Sequence, residues 1–505
     1  MNYKYDLTRS AAELAAEIYY NNEGYFDALL KKYKRYKASK DGVPIFKRQL
    51  PDLDKVNNKI NNDFVGEVID TKLGYMMSVP ISYTYEKLGV DLPEDGDIDS
   101  DEQNIIDNFI LDNDLDDLNL ETLKMSSICG TASRLCYIDK EGNAAVVNVD
   151  PWTVAYVYDG TNKNLLLAVR FVYEVSSPNG EILEPKVTLK AEVYDENNVT
   201  YLVEENYNAN IQITKFRHNF VLDTSVPNPI VKHGFHGIPL IEFVNNTERM
   251  GDCDKAIELV DVYDRCLSDQ TSEVEQFRLA YLALYGLDAS PEDIAKMKQT
   301  GAFKMTVDGK VEFITKNMDA TVLENLLKQL KENIIRFSKS ADFTDENFAG
   351  NLSGVAIKFK IIKLEHKASV SELKMKKADR QMWKILSSYY KIKQIVFNPN
   401  NIKKQFTRNL PVNLLEEARI QRELKGLVSN ETRLGLASFI INPKKEIAKI
   451  EQEVESGIVK LLDEFYETME YESDEGTINE DDEYNEWRKR HRQTGKSPEK
   501  NNDEM

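Results

Sequence analysis

Asp345-Glu346-Asn347-Phe348-Ala349-Gly350-Asn351-Leu352-Ser353-Gly354-Val355-Ala356 is a run of small, polar and backbone-permissive residues. Gly350 and Gly354 let such a loop change conformation at little steric cost. A Pro-free helical pattern over residues 353–390 starts at its end and carries, among others, Lys358, Lys363, Lys367, Lys377, Arg380 and Lys384. Together they read as a polar loop held out by a rigid, lysine-rich rod. That suits contact with something charged and moving better than it suits a catalytic pocket.

Working back from the loop, Ala320–Ser340 has a helical period. Leu323, Leu327, Leu330, Ile334 and Phe337 share one side, and Lys328, Lys331, Arg336 and Lys339 the other. Before it lies a small module with a short helix capped by Ser290-Pro291-Glu292-Asp293. The module also holds a hairpin, Phe303–Val307 with Lys310–Ile314, turned at Asp308-Gly309. Another helix, from about Gly251 to Ala280, precedes the module, with Ala256, Val260, Tyr263, Leu267 and Phe277 in its apolar stripe. Two long helices flanking a small insert describe an antiparallel rod with a knob at one end.

Residues 8–36 read as helix, with Ala11, Leu14, Ala15, Ile18 and Tyr19 on one face, and Asp52–Met77 reads as a second helix through Val56, Ile60, Phe64, Val68 and Leu73. Ser78–Tyr85 reads as a strand. From Ser133 to Asn245 the texture is strands and turns: Leu135–Asp139, Ala144–Val149, Trp152–Asp159, Leu165–Glu174, Lys186–Tyr194 and Val199–Glu204. Residues 411–466 are helical with breaks near Gly426, Gly435 and Asn442-Pro443, and the polar stretch after Tyr471 is expected to be disordered. The fold class is α+β, mainly helical, and 505 residues require more than one domain.

The formal charge is −20 and the apolar fraction 41%. Net acidity argues against tight, static binding of nucleic acid, since phosphate neutralisation supplies most non-specific affinity. No apolar run approaches the roughly 18 residues of a membrane span, and the start, Met1 to Asp6, has no signal-peptide core, so a cytoplasmic origin is expected. Cys129, Cys136, Cys253 and Cys266 fit no zinc spacing and read as buried thiols. The acidic residues 91–121 fail the calcium-loop pattern, with Ser100 where Gly is needed and Ile106 where Glu is needed, and read as a solvated helix and loop. His233 and His236 have no metalloprotease helix around them. There is no Walker A loop: Gly495-Lys496-Ser497 mimics its end, but Arg490 stands at its first glycine. Gly350-Asn351-Leu352-Ser353-Gly354 has its serine one place late for a nucleophile elbow. No metal, cofactor or catalytic residue is expected.

The order β-rich body, long helix, small module, long helix, polar loop and lysine-rich helix resembles the portal proteins of tailed bacteriophages, of the SPP1-like kind. Four stretches carry the resemblance: Lys59-Ile60-Asn61-Asn62-Asp63-Phe64 through Lys72-Leu73-Gly74-Tyr75 with Pro80-Ile81; Asp150-Pro151 to Tyr158-Asp159; Ile238 to Asn246 leading into Gly251-Asp252 and its helix; and Asp345 to Ala356. The resemblance implies a non-enzymatic ring, typically of twelve subunits in the virion, at one capsid vertex, assembled in the host bacterial cytoplasm. Double-stranded DNA passes through such rings in packaging and ejection. Implied partners are the chain itself, DNA, the terminase large subunit, major capsid and scaffolding proteins, and a head-completion or adaptor protein, with no membrane.

By the same resemblance, residues 1–250 form the wing, 251–280 and 319–340 the stem helices, and 281–318 the clip. Residues 341–353 form the tunnel loop, 354–410 a long kinked helix and wing return, and 411–470 the crown; 471–505 is a tail without assigned role. Asp345, Glu346, Asn347, Phe348, Gly350, Asn351, Ser353 and Gly354 are the expected DNA-channel residues, with Lys328, Lys331, Arg336 and Lys339 as candidate basic lining. Asn347 and Asn351 suit uncharged contacts to phosphate. The residues alone also admit a non-portal oligomeric scaffold or adaptor, or a nucleic-acid enzyme of another type.

Overall fold

The computed structural model describes residues 5–51, 55–86, 101–161, 163–176, 186–205, 218–277, 281–285, 290, 292, 310–314, 320–343, 354–408, 414–437, 440 and 443–455. Helices α1 (Ala11–Tyr36) and α2 (Phe64–Met77), strand β1 (Ser82–Tyr85) and helices α3 (Asp101–Asp112) and α4 (Leu115–Cys129) come first. Strands β2 (Thr131–Ile138), β3 (Ala144–Val149), β4 (Val154–Tyr158), β5 (Leu165–Ser176) and β6 (Lys186–Tyr194) follow. They continue with β7 (Asn198–Glu204), β8 (Phe220–Leu222), β9 (Ile230–Lys232) and β10 (Leu240–Val244). Next are α5 (Ile257–Phe277), β11 (Tyr281–Tyr285), β12 (Lys310–Ile314), α6 (Ala320–Ser338), α7 (Gly354–Ile392) and β13 (Ile402–Gln405). Helices α8 (Leu414–Glu423), α9 (Asn430–Gly435) and α10 (Pro443–Glu455) close the described chain. Mixed helix and sheet confirms the α+β expectation.

The chain divides into two compact units, Met1–Glu417 and Ala418–Met505. In the first, β4-β5-β6-β7-β8 form an antiparallel sheet, with β9 also paired to β7, and β10-β2-β3 form a second one. Alternation buries Val169, Phe171, Ala191 and Val193 on one face of the larger sheet, where Leu14, Ile18 and Phe26 of α1 cover them. Helix α1 starts three residues later than expected, where Ser10 and Glu13 form a capping box. The main core gathers Ile69 and Met76 of α2, Phe109 of α3, Leu115 of α4, Ile241 of β10, and Leu364, Met382, Trp383 and Leu386 of α7. Of the acidic segment, residues 91–100 lie outside the described residues; the described part, 101–121, buries one side, where Phe109 meets Trp383 edge-on at 5.2 Å. In the second unit Ser429 caps α9 by accepting the Thr432 N–H at 3.2 Å, and α9 packs on α10.

The expected helix over Asp52–Met77 is corrected. Asp63 is the N-cap of α2, accepting the Gly66 N–H at 3.0 Å, and the described residues before it, 55–63, run extended along α5. Every second backbone N–H finds a side chain of α5: Asn58 to Ser272 Oγ at 2.9 Å, Ile60 to Ser268 Oγ at 2.9 Å, and Asn62 to Asp264 Oδ1 at 2.8 Å. The match is geometric. Two extended residues advance about 6.7 Å and four helical ones about 6 Å. Val56, Ile60 and Phe64 imitate a helical stripe, but a helix there would leave Asp264, Ser268 and Ser272 without these partners.

The expected strand Lys310–Ile314 is present, and it has a partner the sequence did not suggest. Strand β12 pairs antiparallel with β11, Tyr281 opposite Ile314 and Tyr285 opposite Lys310. Helices α5 and α6 pack together, so the strand after one lies beside the strand before the other. Phe303–Val307, the turn at Asp308-Gly309 and the tail after 471 lie outside the described residues, as does most of the short helix expected after Ser290.

Two glycines set the entry to α5. A Cβ on Gly130 (φ +88°) would lie 2.2 Å from the Arg249 carbonyl oxygen, and one on Gly251 would lie 2.3 Å from that of Ile128. The close approach lets Asn245 N–H reach Gly130 O at 3.0 Å and Asp252 N–H reach Ser127 O at 2.8 Å. Gly251→Val is expected to destabilise the fold by about 2–3 kcal/mol, as forced overpacking does, read as a lowered urea midpoint; an unchanged midpoint contradicts the close packing.

Candidate functional site

The site expected from the sequence lies between the end of α6 and the start of α7. Ile334 of α6 is buried with Phe64 of α2, Ala256 just before α5 and Val260 of α5, which fixes the rotation of the helix. Helix α6 ends without a glycine. Lys339 takes the left-handed conformation (φ +54°) and Ser340 N–H returns to Ile335 O at 3.1 Å, a Schellman closure. Ala341 turns into the main core, so the assigned loop is anchored at its first residue.

Of the four basic candidates, Lys328, Arg336 and Lys339 are exposed. Lys331 is committed: its Nζ lies 2.8 Å from Asp342 Oδ2, folding the chain back onto α6. The hydrogen bond to Asp342 holds the Lys331 ammonium above the ordinary lysine range, and burial beside Asp342 raises the Glu67 carboxyl. Asp345, Glu346, Asn347, Phe348, Gly350, Asn351 and Ser353 lie outside the described residues; Gly354 is the first residue of α7.

The structure also brings together charged groups that sequence reasoning gave no role. Lys72 on α2 is 0% exposed. Its Nζ donates to Asn245 Oδ1 at 2.8 Å and Ser127 Oγ at 3.0 Å, and pairs with Asp252 Oδ2 at 3.1 Å. Lys367 on α7 lies 3.4 Å from the same Asp252 oxygen and donates to Ser338 O, at the end of α6, at 2.8 Å. Ser371 Oγ donates to Asn245 Oδ1 at 2.8 Å. One buried cluster thus joins α2, α4, the entry to α5, the last carbonyls of α6, and α7. The Lys367 ammonium also meets the negative end of the α6 dipole. Lys72, Asn245 and Asp252 all fall in stretches that carry the resemblance. Their signal was a Lys inside an apolar helix and an Asp after a conformationally constrained Gly.

Burial pushes the Lys72 ammonium down to about 8 against the pull of Asp252. Burial works to raise the Asp252 carboxyl, but Lys72 and Lys367 overcome it and hold the group below the usual carboxylate range. A second cluster ties α7 to the chain after β13: Arg408 pairs with Glu365 at 3.0 Å and Glu372 at 2.6 Å, and Tyr75 Oη donates to Glu365 at 2.5 Å. A third fixes β10: Glu242 takes Arg249 in a two-pronged bond at 2.6 and 2.7 Å and accepts Tyr158 Oη at 2.5 Å. These arrangements hold helices; they do not present a nucleophile to a cavity. Among the described residues no group of His, Cys, Asp and Glu is placed to hold a metal ion, and no helix is long and apolar enough to cross a membrane.

Asp252→Asn leaves Lys72 buried without its counter-charge, and is expected to cost about 3–5 kcal/mol in urea unfolding. The double variant Lys72→Met with Asp252→Asn recovers most of it; equal losses in single and double variants count against a coupled pair. With a depressed native pKa, Asp252 stabilises the fold above its unfolded pKa, and that contribution is lost as pH falls through the native one. The wild-type acid-unfolding limb below about pH 4 is therefore expected to be steeper than that of the double variant.

The comparisons with known proteins agree with this architecture. The portal protein of Bacillus phage SPP1 is 25% identical over 421 residues, covering 81% of this chain and 78% of that protein. The portal protein of Clostridium phage phiCD119 is 23% identical over 441 residues, covering 84% and 88%. The family model described as phage portal protein, SPP1 Gp6-like, matches residues 10–459, and on that match the chain belongs to the SPP1 Gp6-like family of phage portal proteins.

Proposed function

We propose that this chain forms a closed ring at one vertex of a phage capsid and serves there as the conduit for double-stranded DNA in packaging and ejection. The observation that carries the reading is the family match over residues 10–459, which takes in the paired helices, the polar loop and the helix behind it. Helices α5 and α6 are the stem, β11 and β12 part of the clip facing the terminase and later the head-completion protein, and residues 341–353 the loop at the channel's narrow point. The body before α5, with α7 and β13, is the wing against shell and scaffold, and α8–α10 belong to the crown. The ring acts without catalysis of its own.

The electrostatics support the role. A conduit must hold DNA loosely, and a chain of net charge −20 with separated surface cations gives weak, salt-screened contacts. Lys328, Arg336 and Lys339 are the cations of α6 and its end left for that contact. Lys331 serves the loop's anchor through Asp342.

Electron microscopy of the purified chain is expected to show closed rings with a central hole; a stable monomer with nuclease activity would sink the proposal. In an infection complemented with Gly350→Val and Gly354→Val chains, rings are expected to assemble while DNA packaging fails. Lys328→Glu with Arg336→Glu is expected to change DNA retention more than ring formation. Normal packaging by the glycine variants would remove the loop from the translocation path.

A further inference from the structure

Helix α7 has an exposed row opposite its buried face. Trp383, Met382, Leu364 and Ala368 point into the core. At about 100° per residue, Phe359, Ile362, Val370, Leu373, Lys377, Arg380 and Lys384 fall together on the other side, and all are exposed. The row changes character along its length. Its first half is apolar, interrupted by Lys363 and His366, with Phe359 70% and Leu373 69% exposed. Its second half is basic, and among the described residues Lys377, Arg380 and Lys384 have no ion pair. The apolar half spans about 20 Å and the basic half about 10 Å.

The corner between α3 and α4 has the complementary character. Leu111 is 74% exposed, and Asp112, Asp114, Asp116 and Asp117 surround it, all exposed and without an ion pair among the described residues. Helices α3 and α7 meet through Phe109 and Trp383, and Leu111 lies about 200° around α3 from that contact. The apolar-and-basic row and the apolar-and-acidic corner are thus two separate patches on different helices of one folded unit.

We infer that the exposed row of α7 docks on the α3–α4 corner of a second copy of this chain. Leu111 would sit against Leu373 and Val370, and Asp116 and Asp117 opposite Lys377 and Arg380. Two different, complementary patches make a head-to-tail contact, the kind that closes into a ring. Opposite charges fix its register and repel a row-to-row pairing. The four apolar residues in the row favour a protein surface over a phosphate backbone. The inference rests on the ring proposed above and assigns one of its contacts.

The test uses the full chain with two charge reversals, Lys377→Glu/Arg380→Glu and Asp116→Lys/Asp117→Lys, each checked as a folded monomer by circular dichroism. Each alone is expected to raise the concentration for half-assembly by about tenfold or more, since like charges then face each other. An equimolar mixture restores complementarity at every contact, and native mass spectrometry is expected to show rings holding the two variants in equal number. Either reversal assembling alone as the wild type overturns the contact and leaves the portal reading intact. So does a mixture that fails to assemble while the wild type forms rings. Intact rings with weakened, salt-sensitive DNA binding in Lys377→Glu/Arg380→Glu would reassign the basic row to nucleic acid. A wild type that forms no ring overturns the portal reading and this contact with it.

Discussion

The buried charge pair between Lys72 and Asp252 is the constraint on which the rest of the first unit depends. A lysine with no exposed surface must be compensated at once by an anion and by acceptors. Asp252, Asn245 and Ser127 provide them, and each comes from a different part of the chain. Meeting that demand brings β10 to the end of α4, forces the close approach at Gly130 and Gly251, and sets where α5 begins. Lys367 extends the same cluster to α7 and to the last turn of α6. The helix entering the polar loop and the helix leaving it are thus tied to one buried anion, and the loop's anchors are set by chemistry deep in the body.

Charge is used differently at the surface. The clusters around Glu242, Glu365 and Asp252 consume their cations internally, and Lys331 is taken up by Asp342. Lys328, Arg336 and Lys339 of α6 and its end, and Lys377, Arg380 and Lys384 of α7, stay exposed in a chain that is acidic overall. For a portal-family chain this division matters. Strong pairing gives rigidity where parts must not move, and the exposed cations are left free of internal duty.

Much of the fold was legible because its local signals agree with its packing. Ser10 and Glu13 announce α1; the turns at Glu141-Gly142-Asn143 and Asp150-Pro151 frame β3; Gly426, Gly435 and Pro443 divide the last helices. Reading failed where a tertiary partner overrode a local pattern. Val56, Ile60 and Phe64 have helical spacing, yet the polar ladder on α5 holds the segment extended. The end of α6 was blurred because Lys339, not glycine, takes the left-handed position. In the candidate site, Lys331 was legible as a cation, but its engagement depends on a fold-back to Asp342 that no periodicity encodes. Lys72, Asn245 and Asp252 were quoted as signature residues. Their purpose required knowing that positions far apart in the chain share one buried centre.

The ladder between residues 58–62 and α5 has a mechanical meaning. Its three bonds are in phase, so a small axial displacement of α5 weakens all of them together. Their next coincidence comes only after a full helical turn, about 6 Å. In one direction that turn places Val260 opposite the Asn62 amide, which then faces a methyl group. The extended segment therefore acts as a detent on the rod: it resists thrust along the axis most strongly toward the side where the polar stripe runs out. Helix α5 is held against sliding by three side chains no larger than serine and aspartate.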